Sequence, residues 1–185
     1  MENIIGLPRG TVRLEEHRAD WEALASETVT LLKKILGGDA ADVQHVGSTA
    51  IRNVPAKPIL DLAVAVRAPE DIFRHNDELA AHGILFRGED HPGQWLYVMG
   101  DFERDTRTHH IHVVLSGSPE WENYRNFRDY LNDNAAAAAE YAALKRQLAA
   151  SCACDRKAYT AGKSELVSRL LTEAAAWRRN ASECL

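Results

Sequence analysis

The sequence is poor in the features that mark several large classes of protein. It carries only three cysteines, Cys152, Cys154 and Cys184, in 185 residues. An odd count with one tight Cys-x-Cys is not a disulfide framework, so a reduced, cytoplasmic setting is expected. No second cysteine pair is present to complete a zinc site, and the Cys-x-Cys reads as a helix flank. Long apolar runs are also missing. The longest apolar strand stretch, Ile59 to Val66, is interrupted by Asp61 and is far too short to span a bilayer. Met1 to Gly10 lacks the apolar core of a secretion signal. Basic charge is not in excess: 22 Lys and Arg stand against 27 Asp and Glu, for a net charge of -5. That balance argues against a nucleic-acid partner, but it leaves room for a local basic pocket that takes a small phosphate ligand.

What is present is material for a core, since 45% of the residues are hydrophobic. The pattern changes once along the chain. Up to residue 117 short strands alternate with helices. Thr11 to Glu15 reads as a strand, Arg18 to Leu36 as a helix ended by Gly37-Gly38, and Val43 to Val46 as a strand leading into the turn Gly47-Ser48-Thr49. Ile51 to Pro58 is a loop, because Pro55 and Pro58 break pairing. Ile59 to Val66 is a strand buried on both faces, with Asp61, Ala63 and Ala65 on one face and Leu60, Leu62 and Val64 on the other. A helix from Pro69 to about His82 follows, then strands Ile84–Arg87 and Gln94–Met99 around a turn at Gly88 to Gly93, then the strand His109–Leu115. From Pro119 three helices are expected, the second built on the alanine run Ala135 to Ala139. The expected class is α/β (α+β): a mixed-sheet core over 1–117 and a helical part over 118–185, packed as one compact unit.

Three constellations carry chemistry. The first is Gly47-Ser48 at the end of a strand, with Asp61 on the next strand. Gly47 would let backbone approach a triphosphate, Ser48 would hold its phosphates, and Asp61 would ligate Mg²⁺ or Mn²⁺. An acid is absent at the second position on that face, which is Ala63, so Glu15, Asp101, Glu103 and Asp105 are the acids left to approach in space. The second constellation is Arg107-Thr-His-His-Ile-His112, where alternation puts His110 and His112 on one face. With His45 or Asp61 they make a ligand set for zinc or manganese, or one serves as general base. The third is the basic set Arg52, Lys57, Arg107, Arg128, Lys145 and Lys163, candidates for phosphate contact, with Lys57 closest in sequence to Ser48 and Asp61. The aromatic residues sit at helical spacing and read mainly as core, with Tyr141 and Tyr159 also candidates for a ligand pocket.

Taken together, His45-Val-Gly-Ser-Thr-Ala50, Ala56-Lys-Pro-Ile-Leu-Asp61, Arg107-Thr-His-His-Ile-His-Val113, Phe127-Arg-Asp-Tyr-Leu131, Tyr141-x-x-Leu-Lys145 and Tyr159-Thr-x-x-Lys163 resemble the GrpB-like family of the nucleotidyltransferase superfamily. The resemblance implies a nucleotidyltransferase-like mixed sheet flanked by helices, with a C-terminal helical part. It marks His45, Gly47, Ser48, Thr49, Lys57, Asp61, Arg107, His110, His112, Arg128, Lys145 and Lys163 as site residues. The sequence departs from the family pattern at Arg52-Asn53, where Pro-Gly is usual. The resulting expectation is an enzyme that binds a nucleoside triphosphate with a divalent metal and transfers a nucleotidyl group. Its rivals are a ligand-binding member of the fold without chemistry, for which Ala63 speaks, and a transition-metal hydrolase built on His45, Asp61, His110 and His112.

Overall fold

The computed structural model describes residues 5–153 and 155–183. Cys154 and Cys184 lie outside the described residues, and with them the Cys-x-Cys reading; Met1 to Ile4 of the signal reading lie outside too. The elements run β1 (Leu7–Pro8), α1 (Ala19–Leu36), β2 (Ala40–Val46), a 3-10 turn (Ser48–Ala50), β3 (Leu60–Val66), α2 (Glu70–Phe73), α3 (Asn76–Ala81), β4 (Leu85–His91), β5 (Gln94–Met99), β6 (Thr106–Arg107), β7 (His109–Leu115), α4 (Pro119–Asp133), α5 (Ala135–Ser151), α6 (Arg156–Ala161) and α7 (Ser164–Glu183). No helix among the described residues is long and apolar enough to cross a membrane.

Five strands form a mixed sheet in the order β2-β3-β7-β5-β4, parallel only between β3 and β7. Leu60, Leu62, Val64 and Val66 face one way with Ile111 and Val113, and pack under Trp21, Ala25, Leu32 and Leu36 of α1. The opposite face carries Asp61, Ala63 and Ala65 beside His110, His112 and Val114. Its outer part is closed by Trp121 of α4 on Val46, Ala63, Ala65 and Val114. Its inner part is left open as a cleft. Burial of β3 on both faces accounts for its nearly unbroken apolar run, and Asp61 marks where the cleft interrupts that burial.

Several expectations change. Thr11 to Glu15 is not a strand; only Glu15 bridges, to Ala56, and that single bridge pins the loop before β3. The expected helix over Pro69 to His82 breaks into α2 and α3, where the His75 ring bonds Asp39 at 2.9 Å. Gly88 is not in the turn between β4 and β5. Bulges at Phe86/Gly88 and Glu89/His91 absorb it within β4, and the turn closes one step later at Pro92-Gly93, with the Gly93 N–H on Glu89 Oε1. Among the described residues the helical part holds four helices, not three. Ser118, Asn134 and Asp155 cap α4, α5 and α6 with side-chain oxygens, and the Asp155 cap starts the short helix that periodicity alone passed over. Arg178 on α7 bonds Asn126 and Asp129, tying α7 to α4.

His109 lies on the α1 face, 6% exposed, between the hydroxyls of Thr28 at 3.1 Å and Thr108 at 2.9 Å. Burial holds its pKa at about 4, below the ordinary 6.5. Between those values the unfolded chain binds a proton that the folded chain refuses, so stability is full above pH 6.5 and falls as the pH drops toward 4. Unfolding in urea at neutral pH and at mildly acidic pH is expected to differ by roughly 2–3 kcal/mol from this residue. His109→Gln should reduce that dependence, leaving the part that the similarly buried His45 contributes; an unchanged acid loss in the variant would remove His109 as a source.

Candidate functional site

The site is built on the parallel register of β3 and β7. Asp61 stands opposite His110, and Ala63 opposite His112. Both imidazoles aim at one carboxylate oxygen: His110 Nδ1 lies 3.2 Å and His112 Nε2 3.7 Å from Asp61 Oδ1. A carboxylate can only accept, so the hydrogen-bonded His110 Nδ1 carries the proton. In the neutral ring this leaves Nε2 as a base. Burial pushes the Asp61 pKa up, but the bonds from His110 and His112 outweigh it and hold the carboxyl far below the usual carboxylate range. The His112 ring stacks on Tyr124 with centroids 5.2 Å apart.

Gly47 sits behind the other carboxylate oxygen. Its φ is +69°, and a Cβ placed on it would stand 2.6 Å from Asp61 Oδ2 and 2.8 Å from Asp61 Cβ. The glycine therefore makes room for Asp61, a role that differs from the expected one of admitting a triphosphate to the backbone. Beyond it the 3-10 turn brings Ser48 Oγ to 3.5 Å from the Tyr141 hydroxyl, and Thr49 Oγ1 to 2.9 Å from His45 Nε2.

Asp61, His110, His112, Tyr124, Ser48 and Thr49 line a cavity of about 530 Å³ between the sheet and the helices α5, α6 and α7. Of the expected site residues, Ser48, Thr49, Lys57, Asp61, His110, His112, Lys145 and Lys163 all reach it. Lys145 is 2% exposed and has no hydrogen bond or ion pair among the described residues; its Nζ lies 5.0 Å from the Tyr141 ring centroid. Lys57 and Lys163 place their ammonium groups 5.7 and 4.6 Å from the Tyr159 ring centroid. Burial, and then the nearby ammonium groups, push the Lys145 pKa well below its ordinary value. Burial and Arg156 bring Lys57 down to about 8, and burial lowers Lys163. The Tyr159 hydroxyl is buried with no hydrogen-bond partner among the described residues.

Other expected residues lie elsewhere. His45 pairs with Leu62, on the α1 face and away from Asp61, and burial takes its pKa to about 4. Arg128 closes α4 onto β2 through Gln44 Oε1 and the His45 carbonyl, both at 2.9 Å. Arg107 is 7% exposed, salt-bridged to Asp105 and over the Phe102 ring. Arg52 is an exposed side chain 4.0 Å from Glu22. Glu15, Asp101, Glu103 and Asp105 do not line the cavity, where Asp61 is the one carboxylate among the described residues. Arg156, Thr160, Tyr124 and His91 reach it without having been expected. Arg156 and Thr160 had a signal in the sequence: Arg156, Tyr159, Thr160 and Lys163 follow helical spacing and form one face.

The donors fit one hard cation and not two. One carboxylate can share Mg²⁺ with substrate phosphates. Among the described residues no group of three or more His, Cys, Asp or Glu side chains could hold a metal ion. Asp61 Oδ1 and the two imidazoles are engaged with one another, and His45 is on the far face.

Comparison with known proteins gives a consistent answer. A family model described as GrpB protein matches residues 11–173. The glutamate-rich protein GrpB of Alkalihalophilus pseudofirmus is 35% identical over 173 residues, which cover 92% of this chain and 99% of that protein. The crystal structure of the conserved protein GrpB from Enterococcus faecalis superposes with a TM-score of 0.80 at 30% identity, over 88% of this chain and 96% of that one. The Cid1 poly(U) polymerase with MgGTP bound superposes at 0.53 and 14% identity, over 74% of this chain and 44% of that one, a likeness of fold alone.

Two substitutions test the geometry. Gly47→Ala is expected to cost at least about 1–3 kcal/mol by chemical denaturation, because backbone strain and the Asp61 clash add. On an Asp61→Ala background the cost should shrink; equal costs in both backgrounds would mean that Gly47 does not serve Asp61. Lys145→Met should stabilise the ligand-free protein by about 1–4 kcal/mol, since it replaces an uncompensated buried ammonium with an apolar chain. A loss of stability in that variant would show that Lys145 has a structural role.

Proposed function

The chain belongs to the GrpB family and has a nucleotidyltransferase-like fold, and from its cleft we propose that it binds a nucleoside triphosphate with magnesium and transfers the nucleotidyl group to an acceptor. The observation that carries this reading is the buried, unpaired Lys145, in one cavity with Lys57, Lys163 and Arg156. Folding alone does not select a buried Lys145 beside three partly buried cations and one carboxylate, because a charge taken from water costs free energy unless an anion meets it. A polyphosphate supplies that anion. Lys57, Lys145 and Lys163 hold its oxygens, and Ser48 and the Tyr159 hydroxyl add hydrogen bonds. Magnesium, held by Asp61 and the phosphates, would draw charge from the α-phosphate as the bond breaks. His110 accepts the acceptor's proton at Nε2, with Asp61 bonded to Nδ1 to stabilise the imidazolium. The new bond runs from the acceptor to the α-phosphorus, and pyrophosphate leaves.

A second reading is favoured by Ala63, which occupies the place on the Asp61 face beside His112 where a further acid would sit. In it the protein binds the nucleotide and does no chemistry. The two readings part at turnover. Melting curves with each of the four nucleoside triphosphates at millimolar concentration should rise, and failure of all four to raise the melting temperature would remove both readings. Release of pyrophosphate that depends on Mg²⁺ and is lost in Asp61→Asn indicates transfer. Stabilisation that persists in EDTA with no pyrophosphate released indicates binding alone. Affinity should weaken as the pH rises through about 8, where Lys57 loses its proton. Lys145→Met should lose most of the ligand-induced shift.

A further inference from the structure

Beside the cationic cavity lies a recess of about 300 Å³ whose chemistry is different. It is lined mainly by Phe127, Val167, Leu171 and the ring of Tyr124, and it opens next to Gly47. Tyr124 and Val167 are walls of both spaces, so the recess continues the cleft rather than forming a separate pocket. Its polar groups are few. Glu120 and Asn123 come from α4, and Gln94 from the start of β5. The α4 residues Glu120, Asn123, Tyr124 and Phe127 fall at i, i+3, i+4 and i+7, which puts two polar tips and two aromatic rings on one helix face. From α7, Val167 and Leu171 at i and i+4 close the opposite side. The Tyr124 hydroxyl donates to Gln94 Oε1 at 3.5 Å, which leaves the Gln94 amide N–H groups as donors.

A mostly apolar, ring-lined recess with an acceptor and amide groups at its edge, continuous with a site for phosphate, matches one kind of molecule. We propose that the recess takes the base of the nucleotide whose phosphates the lysines hold, and that Glu120, Asn123 and Gln94 read the edge of that base. The inference rests on the phosphate-binding reading above. Tyr124 then has two duties. It holds His112 in place by stacking and forms the wall along which the base enters. Glu120 accepts from amino or imino groups of the base, so exchanging its charge changes which base is preferred.

Calorimetric titration of the full chain with inorganic tripolyphosphate and with each nucleoside triphosphate separates the two claims. At least one nucleoside triphosphate should bind about tenfold or more tightly than tripolyphosphate, a gain typical of a stacked base. Leu171→Trp, which fills the recess, should bring that nucleotide down to the tripolyphosphate level and leave tripolyphosphate unchanged. Glu120→Gln, a small change on a partly exposed side chain, should reorder the four bases without altering tripolyphosphate affinity. If tripolyphosphate binds as tightly as every nucleotide, and Glu120→Gln changes no ranking, the base site is wrong while the phosphate site stands. If tripolyphosphate and all four nucleotides fail to bind, both are wrong.

Discussion

The parallel pairing of β3 with β7 is the constraint on which the cleft depends. A strand shows alternate residues to opposite faces, so a slip of one position would turn Leu62 and Ile111 into the cleft and drive Asp61 and His110 into the packing under α1. The apolar residues on that hidden face therefore hold the polar ones in place on the other. Asp61 gains a neighbour on each side from the two pairings of β3: His110 across the parallel ladder to β7, and Gly47 at the end of the antiparallel β2, next to the Val46 with which it pairs. One carboxylate oxygen goes to the imidazoles and the other lies against a glycine. The acid is fixed by packing as much as by hydrogen bonding, and its ionised state is favoured by both histidines.

The helical part supplies the opposite charge. Lys145 comes from α5 and Lys163 from the junction of α6 and α7, while Lys57 arrives from the loop that Glu15 and Ala56 pin to the rest of the chain. Two of the three ammonium groups lie over the Tyr159 ring, whose face offsets part of what burial takes away. The arginines that looked equivalent in sequence are placed differently. Arg128 and Arg107 are consumed by structure, one joining α4 to β2 and the other folded against Asp105 and Phe102. Among the described residues, Arg107 and Arg128 bond protein groups away from the cavity, while Lys57, Lys145 and Lys163, whose side chains make no hydrogen bond or ion pair, line it.

How much of this could be read from the residues depends on the range of the signal. Alternation along β3 and β7 is local, so the common face of Asp61 and Ala63, and that of His110 and His112, were legible. That β3 and β7 are neighbours was not legible, because pairing between strands more than forty residues apart is set by tertiary packing. The place of His45 was not, because its face depends on how β2 pairs with β3, and one residue of register decides between the cleft and α1. The burial of Lys145 was hidden by its surroundings: a helix of alanines has little contrast between its faces, so periodicity cannot point to the inward side. Helix α6 escaped because six residues are too few to show a period, although Asp155 as its cap and the Arg156 to Lys163 spacing were both present.

The absence of a second acid and the abundance of lysine are connected. A site with two carboxylates must recruit positive charge before it can tolerate a polyphosphate, and metal ions provide it. Under the proposed function, the four cationic side chains that line the cavity with Asp61 supply that charge themselves. Ala63 leaves space under Trp121, which packs on Ala63, Ala65, Val46 and Val114 and so sets the seat of α4 on the sheet. On this view, lysines from the helical part, rather than His110 and His112, take over the work that a second acid and its metal perform elsewhere, and the histidines are left to position Asp61 and to move a proton.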